Sequence, residues 1–205
     1  MPIIIDDILQ GSPEWHALRS GNVGASNISK IVTTKGERSK QADDYMMQLA
    51  GELITGQCEE TFKSIHMENG LDREEEARTL FEMIHNVSIR RVALVYKDEM
   101  KKFHASPDGL IGDDAGIEIK CLMMKTHVKY LLAGKLPTDY FSQIQMSLYV
   151  CERGHWWFCS YYPGLPPLIL EIHRDDAFIE KLKKELDSFV FELVQITQQL
   201  KEMAA

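Results

Sequence analysis

The stretch Ser106–Cys121, SPDGLIGDDAGIEIKC, constrains the fold more tightly than any other part of the chain. Ser106-Pro107-Asp108-Gly109 is a turn signal, and in Gly116-Ile117-Glu118-Ile119-Lys120-Cys121 apolar and charged residues alternate as a half-buried strand requires. Side-chain direction in a strand repeats every two residues, so Glu118 and Lys120 share one face while Ile117 and Ile119 occupy the other. A hairpin through Gly112-Asp113-Asp114-Ala115-Gly116 returns the chain beside its start and brings Asp108 to the same place. Two carboxylates and a lysine then converge. Close carboxylates repel each other and one pKa rises unless a cation sits between them, which points to a divalent ion. Lys120 could position or deprotonate a water beside it. The bland alternative is a charged hairpin face with a Glu118 and Lys120 neighbour pair.

The 205 residues suffice for a single soluble domain, 1–205, with a substantial core. No apolar run is long enough to span a membrane. Met1–Ile5 runs straight into Asp6-Asp7 without a basic start, so it is not a signal peptide, and cytoplasmic residence follows. Cys58, Cys121, Cys151 and Cys159 show no metal-knuckle pairing and read as reduced, mostly buried thiols. An iron–sulfur cluster would need all of them to meet in space. A net charge of -8 at first counts against a nucleic-acid partner. Carboxylates gathered around cations are neutralised locally, however, and Arg19, Lys30, Lys35, Arg38 and Lys40 cluster near the N-terminus. A solvated loop is the alternative for them.

Ser12-Pro13-Glu14 starts a helix that faces Trp15 and Leu18 inward and stops near Gly21. Ala25-Ser26-Asn27 offers a second cap, and with Arg19 upstream it would suit a phosphate, unless Ser26 simply caps and Arg19 lies on the surface. Residues 35–40 read as a mobile loop, 41–55 as a helix ended by Gly56, and 67–84 as another helix. In the latter Ala77, Leu80, Phe81 and Ile84 set the inward stripe, with Glu74 the nearest acid to it. An acid turned toward a core needs a partner such as a metal; the alternative is an acidic first turn on the helix dipole.

Strands are expected over 87–96, 102–105, 155–162 and 168–173, and helices over 126–133 and 138–150. Gln143 and Gln145 on the second of these helices could reach a metal-bound water or a phosphate, or be ordinary exposed glutamines. With the hairpin strand this gives an α/β (α+β) fold, a mixed central sheet of about five strands flanked by helices. The long C-terminal helix, 176–203, carries a seam of Leu182, Leu186, Phe189, Leu193, Ile196, Leu200 and Met203. That seam packs on the chain's own core or, alternatively, on a second copy.

Several blocks occur in the order seen in the family of phage lambda exonuclease and its YqaJ-like viral recombinase relatives, which this chain resembles over most of its length. They are Glu14-Trp15-His16-Ala17-Leu18-Arg19, Gly24-Ala25-Ser26, Ala77-Arg78-Thr79-Leu80-Phe81-Glu82, Ser106-Pro107-Asp108-Gly109-Leu110, Glu118-Ile119-Lys120-Cys121 and Gln143-Ile144-Gln145. The resemblance implies a restriction-endonuclease-like nuclease core. It implies that Asp108, Glu118 and the main-chain carbonyl of Ile119 hold Mg²⁺, two ions per site with Mn²⁺ able to substitute, and that Lys120 orients the attacking water. Glu74 would complete the metal site and Gln143 or Gln145 would be the active-site glutamine. Arg19, Ser26 and Ser106 match the pocket that takes the 5′-phosphate. Likeness is poorer over 33–40, where Lys35 or Arg38 would contact DNA as part of a strand-separating wedge.

The same resemblance implies a ring-shaped homotrimer that threads linear duplex DNA and degrades the 5′-ended strand processively without ATP. The remaining 3′ strand would pass to a single-strand annealing protein in a bacterial host cell. A structure- or sequence-specific endonuclease on the same core is the alternative within nucleases. A non-catalytic DNA-binding or scaffold protein is the alternative outside them.

Overall fold

Two sheets, not one, carry the chain in the computed structural model, which describes residues 1–58 and 65–204, with side chains from 73 to 203 in the second stretch. The elements in order are β1 (Ile3–Ile5), α1 (Pro13–Arg19), β2 (Val23–Gly24), a 3-10 helix (Ala25–Lys30), α2 (Ala42–Thr55) and α3 (Ile65–His85). There follow β3 (Ile89–Arg90), β4 (Leu94–Tyr96), β5 (Phe103–Ala105), β6 (Gly109–Ile111) and β7 (Ala115–Cys121). The chain closes with α4 (Met124–Ala133), α5 (Thr138–Cys151), β8 (His155–Tyr161), β9 (Leu168–His173) and α6 (Asp176–Ala204). A mixed five-stranded sheet is ordered β3-β6-β7-β8-β9, but the strand expected in it over 102–105 lies as β5 in a second sheet of four, β1-β4-β5-β2.

The second sheet exists because the strand expected over 87–96 is broken. Its two halves, β3 and β4, join different sheets. At the break, Ala93 N–H donates to Ile5 O at 2.7 Å, Trp15 Nε1 donates to Ala93 O at 2.9 Å, and Gln10 Nε2 donates to Val92 O at 2.9 Å. Backbone groups that a continuous strand would pair within one ladder are thus satisfied by the N-terminal segment.

Around β7 the hairpin forms as the alternation requires: Gly109 pairs with Ile117, and Ile111 with Ala115. The parallel partner β8, reached through α4 and α5, runs alongside β7 from Ala115 opposite His155 to Cys121 opposite Tyr161. Ile117 and Ile119 pack with Cys159, Ala77 and Phe81 in the layer under α3. The other face meets α5, where Ile144, Leu148, Trp156 and Phe158 share the larger core. Gly116 makes that packing possible, since a Cβ there would lie 2.3 Å from the Trp156 ring.

Four expectations are corrected. Ile84 is exposed, because His85, stacked on Phe81 and meeting the Trp157 ring at a tilt, takes the inward place at the end of α3. The seam of α6 is buried or half-buried through Ile196, whereas Leu200 and Met203 are exposed. The 3-10 helix is capped at Gly24 rather than Ser26. Residues 35–40 form an ordered turn: Thr33 N–H donates to Glu37 O at 2.8 Å, and Gly36 N–H to Thr33 O at 3.0 Å. Among the described residues no helix is long and apolar enough to cross a membrane.

Candidate active site

Strand β6 begins at Gly109 and leaves β7 uncovered on that side beyond Ile117, and a side chain takes the place of the missing backbone. Gly109 opposite Ile117 is the last pairing, and beyond it the Asp108 carboxylate Oδ2 accepts the main-chain N–H of Ile119 at 2.5 Å. The turn that carries Asp108 is pinned from outside by Gln10, whose Nε2 donates to Pro107 O at 3.0 Å. On the α5 face Glu118 is buried, ion-paired with Lys120, and accepts the Gln143 amide through Oε1 at 2.6 Å. Lys120 Nζ also lies 5.6 Å from the centre of the Tyr140 ring.

The charges explain one another. Burial first, then repulsion by Glu118, pushes the Asp108 carboxyl well above its ordinary value; Lys120 opposes the rise and Glu74 adds to it. For Lys120, burial pulls downward, but the Glu118 and Asp108 carboxylates more than reverse this and its pKa ends raised. With those two carboxylates facing it, Lys120 is held in its ammonium form and donates to Glu118. Beside it the Cys121 thiol is pushed up to about 12 by burial and by Glu74 and Asp108, which keeps it protonated.

Glu74 approaches the site from α3 in the grip of Arg78. One guanidinium nitrogen, Nη2, donates to Glu74 Oε1 at 2.7 Å and to Asp108 O at 3.0 Å, while Nη1 reaches Glu75 Oε2 at 2.6 Å. Among the described residues no three His, Cys, Asp or Glu side chains converge closely enough to hold an ion by themselves. Asp108 and Glu118 with the main chain of residue 119 form a smaller oxygen set, and crowding of two acids in a half-buried place suits a hard cation.

The two glutamines part company. Gln143 touches Glu118, whereas Gln145 is buried with its amide donating to His173 O and its carbonyl accepting Asp175 N–H, both at 2.9 Å. Arg19 and Ser26 come together: Nη2 donates to Ser26 Oγ at 3.3 Å, with the guanidinium stacked 3.8 Å over Trp15. Burial lowers the Arg19 pKa, and Cys58, Tyr45 and Glu52 oppose that shift. Ser106 Oγ is buried and has no hydrogen-bond partner among the described residues. Arg38 is committed to Glu192 and Asp43 at 2.8 Å each, and Lys35 O accepts Lys181 Nζ at 3.4 Å, so both lie against or near α6.

The YqaJ-like viral recombinase domain matches residues 14–154, a span that contains Arg19, Ser26, Glu74, Asp108, Glu118, Lys120 and Gln143. The chain belongs to that family. Its fold matches the crystal structure of an alkaline exonuclease, LHK-Exo, from Laribacter hongkongensis with a TM-score of 0.85 and 31% identity, over 94% of this chain and 98% of that one. LHK-Exo in complex with dAMP matches with a TM-score of 0.84 at the same identity and the same coverage. A phage-related exonuclease from Haemophilus somnus 129PT shares the fold at a TM-score of 0.64 and 16% identity, over 89% of this chain and 96% of that one. No curated protein matches the sequence. Family and neighbours together support a nuclease.

Three groups of this chain escaped the sequence reading. Tyr140 stands one helical turn before Gln143 on α5, a spacing that could have flagged it. Arg78 sits four residues after Glu74, and that spacing alone looks like an ordinary helix pair. Gln10 carried no local signal, because its partners Val92 and Pro107 are distant in sequence.

Proposed function

We propose that residues 1–205 act as one Mg²⁺-dependent, ATP-independent 5′-to-3′ exonuclease on linear duplex DNA, releasing 5′-mononucleotides. The observation that carries this reading is the meeting of Asp108, Glu118 and Lys120 at the open end of β7. Asp108, Glu118 and the Ile119 carbonyl would hold the metal, with Glu74 available from α3 when Arg78 releases it. Bound Mg²⁺ supplies Lewis acidity that favours hydroxide over water and stabilises the leaving 3′ oxygen.

The chain's own groups set the geometry. Lys120, held as an ammonium, donates to the attacking water and to the phosphate, with the Tyr140 ring facing its Nζ. Gln143 fixes the Glu118 carboxylate against rotation. Arg19, with Ser26 and Ser106, receives the terminal 5′-phosphate and so sets which bond meets Lys120. The strand left behind, with its 3′ end, is the substrate of a single-strand annealing protein. A homotrimeric ring would enclose the duplex and make digestion processive.

Linear duplex labelled separately at each end, with and without Mg²⁺, tests this. Release of label from 5′ ends alone, only with the metal and without ATP, is expected. Cutting of covalently closed circular duplex would show an endonuclease instead, and no Mg²⁺-dependent release at all would reduce the domain to DNA binding.

A further inference from the structure

His104 lies in β5 directly beside Gly24 in the parallel pairing of β2 with β5. Its side chain is buried, and neither Nδ1 nor Nε2 has a hydrogen-bond partner among the described residues. Two residues on, Ser106 Oγ is in the same position, buried and unpartnered. Buried polar atoms without partners are costly, and a chain that keeps several in one place has a use for them there.

The surroundings show where the ring is directed. A Cβ at position 24 would lie 2.7 Å from Nε2 and 2.9 Å from Cε1, so that edge of the imidazole rests on the backbone of the residue that caps the 3-10 helix. That helix presents Ser26, which Arg19 already contacts. Burial, and after it the charge of Arg19, lowers the His104 pKa to about 3, leaving a neutral ring with one N–H to donate. Tyr96 meets the ring edge-on with centroids 6.4 Å apart, but its hydroxyl donates to Leu18 O at 2.6 Å and leaves the imidazole unsatisfied.

We infer that His104 is a further ligand of the end-binding pocket: its one ring N–H donates to an oxygen of the 5′-terminal phosphate seated on Arg19 and Ser26. This rests on the phosphate pocket proposed above. It makes His104 a specificity residue, because a hydroxyl end offers no oxygen at that point and leaves the buried donor unpaired.

The test compares wild type with His104→Leu on linear duplexes carrying 5′-phosphoryl or 5′-hydroxyl ends. The ratio of kcat/KM for the two ends is expected to fall by about tenfold or more in the variant. A protein that is merely destabilised loses rate on both ends alike and keeps the ratio, so an unchanged ratio overturns the assignment. Wild type that shows no preference for phosphoryl ends overturns the pocket itself, and this inference with it. If the leucine variant does not fold, side-chain ¹⁵N resonances of the wild-type full chain titrated with inorganic phosphate decide the matter. A shift of a His104 ring-nitrogen signal that is lost in Arg19→Ala supports the contact. A silent His104 signal while the Arg19 signal moves overturns it, and assigns the ring's partner to water.

Discussion

The Asp108 carboxylate accepts the main-chain N–H of Ile119 at the level where β6 has stopped and β7 continues. One oxygen thus substitutes for a missing rung of the ladder, and the charge that comes with it is set down beside Glu118. The same contact that closes the sheet also loads the site.

Asp108→Asn should abolish cleavage while keeping the fold, because the amide oxygen can still accept from Ile119. The folded-state pKa of Asp108 is raised above its ordinary 3.8, so between that value and the higher one the native state binds more protons than the unfolded chain. Stability without metal therefore falls as pH rises through that window, and the asparagine variant should show a flatter profile. Melting curves against pH check this; adding Mg²⁺ should raise the Tm of wild type and not of the variant.

Lys120→Met removes the ammonium that balances two carboxylates. Cleavage of linear duplex should drop by about a hundredfold or more. A base role predicts that Lys120→Arg, whose guanidinium cannot give up its proton, is as inactive as Lys120→Met at every pH; a positioning role predicts that the retained cation keeps part of the rate. Rate against pH for both variants separates these.

The glutamines should divide by function. Gln143→Ala loosens Glu118 and should lower the cleavage rate with little change in stability. Gln145→Ala strands His173 O and Asp175 N–H and should cost about 1–3 kcal/mol in urea unfolding. Reversal of that pattern would place the wrong glutamine at the site.

Arg78→Met frees Glu74 and leaves the Asp108 carbonyl without its donor. A loss of about 2 kcal/mol is expected from denaturant unfolding. The Mg²⁺ concentration for half-maximal cleavage should shift as well, because Glu74 is then no longer held by a cation.

Much of the site was legible in the chain itself. Alternation at Ile117, Glu118, Ile119 and Lys120 fixes which groups share a face, and a turn signal at Pro107-Asp108-Gly109 with a short hairpin returns Asp108 to it. Such periodicities are local properties of the backbone, which is why they survive without knowledge of the fold. Decisions that depended on remote partners were not legible. The break between β3 and β4 needed Gln10 and Trp15, the choice of Gln143 over Gln145 needed the positions of Glu118 and His173, and the exposure of Ile84 needed Trp157. The sequence by itself determined the strand that carries the acids and the lysine. Only the tertiary structure decided what surrounds them, because a buried polar group takes whichever partner packing brings within reach.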